Sequence, residues 1–200
     1  MGVAGGAANS HTILLTGLAG LVAGACSMAM GEWLSVSSSR ELSERQIATE
    51  KEELEAAPEL EREELELIYQ AKGLDEKTAK ALAEKVFTSK GAALDTLVRE
   101  ELGIDPEGLG GSAYAAASSS FALFAVGAIV PVAPFLFVSG DTAVIASVAL
   151  SGSALALSGA ITSLFTGRSA LVSAARHLLV GYLAAAITFG IGHLIGVSIS

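Results

Sequence analysis

The sequence predicts an all-α membrane protein with four complete transmembrane helices, the remnant of a fifth and a charged helical insert. Of its 200 residues 52% are hydrophobic and only 16% are charged, and the mean hydropathy is +0.57. This composition is too apolar for an ordinary soluble domain. Four apolar stretches are long enough to cross a bilayer, and nearly all of the charge falls between the first and the second.

The apolar stretches fix the number of spans, because a hydrocarbon core of about 30 Å needs roughly 20 helical residues. The first stretch is too long for a cleaved signal peptide and no basic residue precedes it. The opening MGVAGGAANS is apolar but too short to span, so we interpret it as the end of another helix and expect Met1 to be internal to a longer protein. The four spans are Thr12 to Leu34, Ser112 to Phe137, Thr142 to Thr166 and Leu171 to Val197.

The charge distribution divides the chain into residues 1–34, 35–110 and 111–200. The middle part holds 19 of the 21 acidic and 10 of the 12 basic residues, a net charge of −9. Lysine and arginine mark the cytoplasmic side of a membrane protein. Because Arg168 lies in the loop between the last two spans and Arg176 close to that loop, an antiparallel arrangement places them on the same side as the insert. We therefore expect a cytoplasmic insert, with both chain ends on the opposite side.

Four helices are predicted in the insert. Arg40 to Ala56 continues the first span, and Pro58 starts a second helix that ends near Lys72 and Gly73. Asp75 caps a third helix through Phe87, and Ser89 caps a fourth that ends near Gly103. A disordered, mixed-charge loop is the alternative. One apolar stripe on the third helix needs a partner face, and it comprises Leu74, Ala79, Leu82, Ala83, Val86 and Phe87.

Other signals concern the spans. Segments such as SGSALALSGA are rich in small residues, which let helices pack closely in lipid. Pro131 and Pro134 are expected to disrupt the second span because proline lacks the backbone donor of a helix. Asp141 is expected to cap the third span.

Several functional classes are disfavoured. A sequence pI near 4.8 without a basic, aromatic face argues against nucleic acid as a partner. The single cysteine, Cys26, excludes an intrachain disulfide and a thiolate cluster. No motif for a nucleophile elbow, a phosphate loop or HExxH occurs, so neither an enzyme nor an organic cofactor is expected.

The segment EKEELEAAPELEREELE contains the main candidate site. Glu50 and Glu53 share one helix face, as do Glu61 and Glu64, and Pro58 lies between the two pairs. If the chain reverses there, the pairs face each other and Glu101 can close an oxygen-ligand site for Mn, Fe(II), Mg or Ca. The alternative is an ordinary solvated helix face.

A second candidate lies in SMAMGEW. Met28 offers a thioether that favours Fe(II) over Ca or Mg, and Glu32 lies about one turn further on. Ionisable groups in spans are functional candidates, although Met28 can equally fill a core and Glu32 can sit at the interface beside Trp33. His177 and His193 are expected to have packing or interface roles.

The sequence resembles the vacuolar iron transporter family along nearly its whole length, and especially the membrane part of bacterial membrane-bound ferritin proteins. The resemblance rests on GLAGLVAGACSMAMGEWLSVSSSRELSERQ, the glutamate-rich EKEELEAAPELEREELELIYQAKGL, ALDTLVREELGI and AVGAIVPVAPFLF. It implies five spans, a homodimer in a bacterial inner membrane, and export of Fe(II) or Mn(II) from the cytoplasm in exchange for protons. It also implies metal binding by the insert glutamates, which match Glu50, Glu53, Glu61, Glu64 and Glu101.

Three departures accompany this resemblance. Leu97 and Val98 stand where the family has a methionine pair, which weakens the preference for iron over manganese. Met28 matches the methionine of the family's transport path, but Gly20 stands where an acid is expected, so Glu32 is assigned to the path as its substitute. The first of the five spans implied by the resemblance is expected to be incomplete, since only its end matches the opening MGVAGGAANS. The alternative function is therefore a non-transporting membrane anchor and metal-binding module attached to an N-terminal ferritin-like domain.

Overall fold

The computed structural model describes residues 2–5, 10–109 and 111–199, and every regular element in these residues is helical. Two short 3₁₀ helices, Pro106–Gly108 and Ala133–Leu136, accompany the α-helices. The α-helices are α1 (Gly2–Gly5), α2 (Ser10–Ala56), α3 (Pro58–Ala71), α4 (Glu76–Val86), α5 (Lys90–Glu100), α6 (Ala113–Val132), α7 (Asp141–Thr166) and α8 (Ala170–Ile199).

The chain forms two compact units. One comprises residues 1–29 and 119–200, and the other comprises residues 30–118. Helix α2 contributes to both, and the predicted helical insert lies within the second unit.

Four helices in the described residues are long and apolar enough to cross a membrane. They are α2, α6 with the 3₁₀ helix that follows it, α7 and α8, and each corresponds to one of the predicted spans, although the second is one residue shorter at each end than predicted. Large apolar side chains on them are solvent-exposed in the isolated chain, for example Leu164 and Phe165 at 81% and 86%. Such surfaces are stable where lipid covers them, so the predicted class of all-α membrane protein is confirmed.

Helix α2 continues without a break from the first span into the insert. Its 47 residues correspond to roughly 70 Å at 1.5 Å per residue, more than twice the thickness of a hydrocarbon core. The predicted charged continuation from Arg40 to Ala56 is confirmed. The acidic end of α2 is thus a direct helical continuation of the first span.

The two prolines interrupt the second span as predicted. Helix α6 contains Pro131 and ends at Val132, and the chain continues as a 3₁₀ helix. Pro134 lacks the N–H that a 3₁₀ turn would direct at the carbonyl of Pro131. The buried hydroxyl of Ser147 on α7 donates to that carbonyl at 2.7 Å instead. A neighbouring span therefore satisfies the carbonyl that the prolines leave free.

Small residues bring α7 and α8 close together, as the sequence predicts. A Cβ placed on Gly159 would lie 2.6 Å from the Cα of Ala174, which is closer than real Cβ contacts. The ring of Tyr182 likewise covers Gly152. A larger side chain at Gly159 would meet the backbone of α8 and force the two helices apart.

The insert has its own hydrophobic core, so the structure folds this segment and does not leave it as a disordered loop. The helices α3, α4 and α5 follow the predicted order, and the Asp75 side chain accepts from the backbone N–H of Thr78 as the predicted cap. The buried core residues are Leu54, Leu65, Tyr69, Ala79, Ala83, Ala93 and Leu97, and Leu74, Val86, Phe87 and Leu94 pack against them.

Several details of the prediction are wrong. Leu82 is 37% exposed, because it lies at the edge of the stripe whose centre is occupied by Ala79 and Ala83. Ser89 occupies the predicted N-cap position of α5, which ends near Gly103 as predicted, but the Ser89 side chain makes no capping hydrogen bond. Asp141 is the first residue of α7, and Gly140 takes the cap position with a positive φ of 63°.

Candidate metal site

The acidic segment changes direction at a single residue. Ala57 separates α2 from α3, and its backbone angles of φ −142° and ψ 59° are not helical. Pro58 is the first residue of α3, a position whose N–H makes no hydrogen bond within the helix, so proline costs nothing there. The N–H of Ala57 closes the end of α2 on the carbonyl of Glu53 at 2.9 Å. This tight junction brings acidic residues from the end of α2 close to those at the start of α3.

Three carboxylates converge at this junction. Glu50 from α2, Glu61 from α3 and Glu101 directly after α5 each place one oxygen within 4.8 Å of the other two. Metal–oxygen distances of about 2.0–2.6 Å allow two ligands of one ion to lie up to about 5 Å apart. The three oxygens therefore fit the coordination shell of one divalent cation.

Burial distinguishes these carboxylates from ordinary surface acids. Glu50 is 2% exposed and Glu61 is 9% exposed, whereas Glu101 lies at the open side. One carboxylate oxygen of Glu50, Oε1, is buried without a hydrogen-bond partner among the described residues. A buried carboxylate in this state needs a proton or a cation to be stable.

The electrostatics of the cluster follow from burial and from like charge. Burial, and after it the like charges of Glu101, Glu61, Glu53 and Glu64 in that order, together raise the pKa of Glu50 to about 7. Burial also raises the pKa of Glu61, with additional effects of Glu64 and Glu53, while a hydrogen bond with Glu50 lowers it. For Glu101 the pKa is raised by burial, then by Glu64, Glu61 and Glu53. All five predicted glutamates thus belong to one electrostatic cluster, which we call the glutamate cluster.

Neighbouring acids are paired with bases, but the glutamate cluster is not. Arg62 Nε lies 3.1 Å from Glu59 Oε2, and Arg62 Nη1 lies 3.9 Å from Glu66 Oε2. Lys72 forms an ion pair with Glu100. No ion pair within 4.0 Å involves a member of the glutamate cluster in the described part of the chain. A solvated helix face of alternating charge would show such pairs, so the geometry disfavours that interpretation.

Sequence reasoning missed residues that border the cluster. A cavity of about 240 Å³ is lined by Glu50, Glu53 and Glu101 together with Gln46 and Thr49. Gln46 lies four residues before Glu50, so the same helical spacing that selected the glutamates could have found it. Its amide and the hydroxyl of Thr49 are further oxygen donors for a hard cation.

Leu97 and Val98, the positions where the resemblance leads us to expect a methionine pair, are buried. Leu97 is fully buried in the insert core and Val98 is 1% exposed. Neither side chain carries a ligand atom. The converging ligand atoms in the described cluster are oxygens only.

The candidates for the transport path are both exposed on α2. Met28 is 49% exposed, and Glu32 is also exposed. Their assignment to a transport path stays a prediction.

The fold and the cluster together define a class: a multispan α-helical membrane protein with a helical insert that carries converging carboxylates. Residues 1–193 match the VIT family model. The chain is 37% identical over 190 residues to a vacuolar iron transporter of Acanthamoeba castellanii, covering 94% of this chain and 72% of that protein. It is also 33% identical over 193 residues to vacuolar iron transporter 1 of Oryza sativa subsp. japonica, covering 94% and 75%, respectively.

Vacuolar iron transporter 1 of Arabidopsis thaliana is another relative, at 31% identity over 192 residues. The chain therefore belongs to the VIT family. Because the family and these relatives are transporters, the expectation that the chain is not an enzyme is confirmed.

Proposed function

We propose that this protein is a divalent metal transporter that exports Fe(II) or Mn(II) from the cytoplasm by proton antiport. In this proposal the glutamate cluster collects the ion on the cytoplasmic side. The observation that carries it is the convergence of Glu50, Glu61 and Glu101 within 4.8 Å, in a chain whose relatives are named vacuolar iron transporters.

Metal capture relieves the repulsion within the glutamate cluster. Glu50, Glu61 and Glu101 supply the inner ligands, while Glu53 and Glu64 lie close enough to add negative charge. Carboxylate ligands bind metal in their deprotonated form, so an entering cation displaces the protons that the cluster holds. This exchange is a simple chemical basis for coupling metal to protons.

The ligand set accepts both Fe(II) and Mn(II). Oxygen donors suit hard and borderline ions and give no advantage to iron over manganese. Leu97 and Val98 provide no sulfur, and Met28 is the one methionine that we assign to the route. We therefore propose that manganese competes effectively with iron at the cluster.

The proposed route continues along α2. Glu32 passes the ion from the cytoplasmic end towards Met28, and a second copy of the chain completes the path in a homodimer. The distribution of lysine and arginine supports a cytoplasmic insert. We propose the bacterial inner membrane as the location.

The test is metal flux into proteoliposomes that contain the full-length protein and a metal-quenched dye. With Mn(II) or anaerobic Fe(II) outside and an acidic interior, we expect uptake by the molecules whose insert faces outwards, accompanied by proton release. The triple variant Glu50→Gln, Glu61→Gln and Glu101→Gln should lose at least about 100-fold in metal affinity, since it removes three charged ligands.

A matched control removes three acids outside the cluster. Glu55, Glu63 and Glu107 are exposed residues on α2, on α3 and in the first 3₁₀ helix, and their replacement by Gln changes the net charge equally. Uptake should survive in this control. Equal loss in both triple variants would overturn the assignment of the cluster and reduce it to a general charge effect.

The second candidate function is a membrane anchor that binds metal for an attached ferritin-like domain. It is favoured by the position of the converging carboxylates, which lie wholly within residues 30–118 beside a separate hydrophobic core. This function would be selected over transport if metal binds in a way that depends on the glutamate cluster, but no metal flux occurs in proteoliposomes that controls show to be competent for the flux assay.

A further inference from the structure

A second cavity in the 30–118 unit is separate from the glutamate cluster. It has a volume of about 580 Å³, within the range of about 300–1,000 Å³ typical of ligand pockets. Its walls come from the part of α2 that starts at Trp33, at the end of the first span, and from residues at the start of α6 and directly before it. Polar and apolar groups contribute comparably, which distinguishes it from the apolar surface of the spans.

Two aromatic residues place this cavity at the boundary of the membrane. Trp33 lies at the end of the first apolar stretch, and Tyr114 is the second residue of α6, the next span. Their ring centroids are 6.5 Å apart and the rings are tilted by 58°. Tryptophan and tyrosine are enriched at the depth of lipid headgroups. The cavity is therefore positioned to meet headgroups rather than acyl chains.

The charges that line the cavity are of both signs. Arg40 donates from Nε to Glu44 Oε1 at 2.8 Å, which occupies one of the five N–H groups of its guanidinium. The side chains of Arg40 and Glu44 are 55% and 49% exposed, and Glu41 is exposed beside them. One cation and two carboxylates thus line the cavity. A ligand with a phosphate and a protonated amine would satisfy both signs.

We propose that this cavity binds the headgroup of phosphatidylethanolamine, with its phosphate on Arg40 and its ammonium between Glu41 and Glu44. A primary ammonium donates hydrogen bonds to carboxylates, and charge-assisted bonds of this kind are the strong ones. A choline headgroup has no N–H to donate. A glycerol headgroup leaves a net negative lipid facing two carboxylates.

The test uses Trp33, which is the single tryptophan of the chain and lines the cavity. Full-length protein in dodecyl maltoside with EDTA is titrated with dihexanoyl phosphatidylethanolamine, phosphatidylcholine or phosphatidylglycerol, and Trp33 emission is followed. We expect saturable binding of the ethanolamine lipid, roughly tenfold tighter than that of the other two. Equal affinities for the three lipids would overturn the proposal.

Soluble phosphoethanolamine separates a lipid from a free metabolite with the same charged groups. Binding of phosphoethanolamine as tight as that of the lipid would contradict a lipid site. Much weaker binding would support it, because the acyl chains then contribute at the membrane boundary. Metal is absent throughout, so the result is independent of the proposed transport.

Variants link the response to the named charges. The double variant Arg40→Gln and Glu44→Gln should lose the roughly tenfold preference, whereas Lys80→Gln with Glu84→Gln makes the same change on exposed residues of α4 and should keep it. Glu41→Gln leaves the ion pair intact and should reduce the preference over phosphatidylcholine. An unchanged preference in both cavity variants, with normal helix content by circular dichroism, would overturn the proposal.

Discussion

Helix α3 carries acidic residues on two faces whose environments differ. On one face Glu61 is 9% exposed, converges with Glu50 and Glu101, and has no ion-pair partner among the described residues. On the other face the guanidinium nitrogens of Arg62 lie 3.1 Å from a carboxylate oxygen of Glu59 and 3.9 Å from one of Glu66. Both faces come from the same run, PELEREELE.

The difference teaches that neighbouring elements, and not the local charge pattern, decide the chemistry of a glutamate. Glu59 and Glu66 are stabilised within their own helix by Arg62, which lies three and four residues away along the chain. Glu61 is held against carboxylates from α2 and from the residue after α5. The glutamate cluster therefore depends on the packing of the insert, and the following predictions test that dependence.

The largest expected effect concerns the apolar residue that anchors α3. Leu65 is fully buried in the insert core, whereas Leu67, two positions on, is 64% exposed. Leu65→Ala should destabilise the insert by about 2–5 kcal/mol because it leaves a cavity. Leu67→Ala should cost less than about 0.5 kcal/mol. Hydrogen exchange of α3 to α5 in the full-length protein measures both, and similar protection in the two variants would contradict this core.

The next effect is a dependence of stability on pH in the absence of metal. The raised pKa of Glu50, about 7 against 4.5, means that the folded insert binds more protons than the unfolded chain between these pH values. Stability is therefore full below about pH 4.5 and falls as pH rises to about 7. At about 1.4 kcal/mol for each pKa unit, Glu50 alone contributes up to about 3 kcal/mol.

Glu61 and Glu101 act in the same direction because the pKa of each is also raised. Asp75 acts in the opposite direction, since hydrogen bonds from Thr78 lower its pKa below 3.8. Its titration therefore lies below the pH range in which Glu50 changes the stability. Hydrogen exchange at pH 5 and pH 7.5 in EDTA, corrected for the intrinsic rate, checks the prediction. Glu50→Gln should flatten the difference, and greater protection of the wild-type insert at pH 7.5 would contradict it.

A divalent cation should reverse this loss at neutral pH. Mn(II) at 100 times its dissociation constant should stabilise the folded insert by about 2.7 kcal/mol, provided that it does not bind the unfolded chain. The triple variant of Glu50, Glu61 and Glu101 to Gln should not respond. A variant of the other face, Glu59→Gln with Glu66→Gln, should respond like the wild type. A response in the triple variant would place the ion elsewhere.

The smallest effect concerns the paired face alone. Glu59 is 81% exposed and forms one ion pair with Arg62. Glu59→Gln should change stability by less than about 1 kcal/mol, since exposed pairs of this kind contribute little. It should also leave Mn(II) affinity unchanged within about twofold. Isothermal titration with Mn(II) checks this. A large loss of Mn(II) affinity would mean that both faces of α3 contribute to one metal site.

Much of the fold could be predicted from the sequence because its signals are local. The length of each apolar stretch predicted the spans, and Pro58, Asp75 and Pro131 marked helix boundaries or breaks that the structure contains. The errors concern positions where packing chooses between neighbours. Gly140 rather than Asp141 occupies the cap position of α7, and Leu82 lies at the exposed edge of its stripe.

The candidate site was predictable in its residues but not in its geometry. Helical spacing selected Glu50, Glu53, Glu61 and Glu64, whereas Glu101 was proposed only as a later acid that could close the site if the chain reverses at Pro58. No local pattern reveals that Glu50 is 2% exposed. Burial of a polar side chain depends on contacts between elements, which spacing within one helix does not contain.

The sequence by itself determined the membrane class, the four spans, the acidic insert and the pairs of glutamates, because hydropathy and helical periodicity are properties of contiguous residues. Only the tertiary structure decided which carboxylates converge and which are neutralised by arginine or lysine. The physical reason is that the turn at Ala57 and the core around Leu65 and Leu97 set the distances between α2, α3 and the end of α5. Those distances, and not the count of acids, separate the glutamate cluster from the face of α3 whose acids are paired with Arg62.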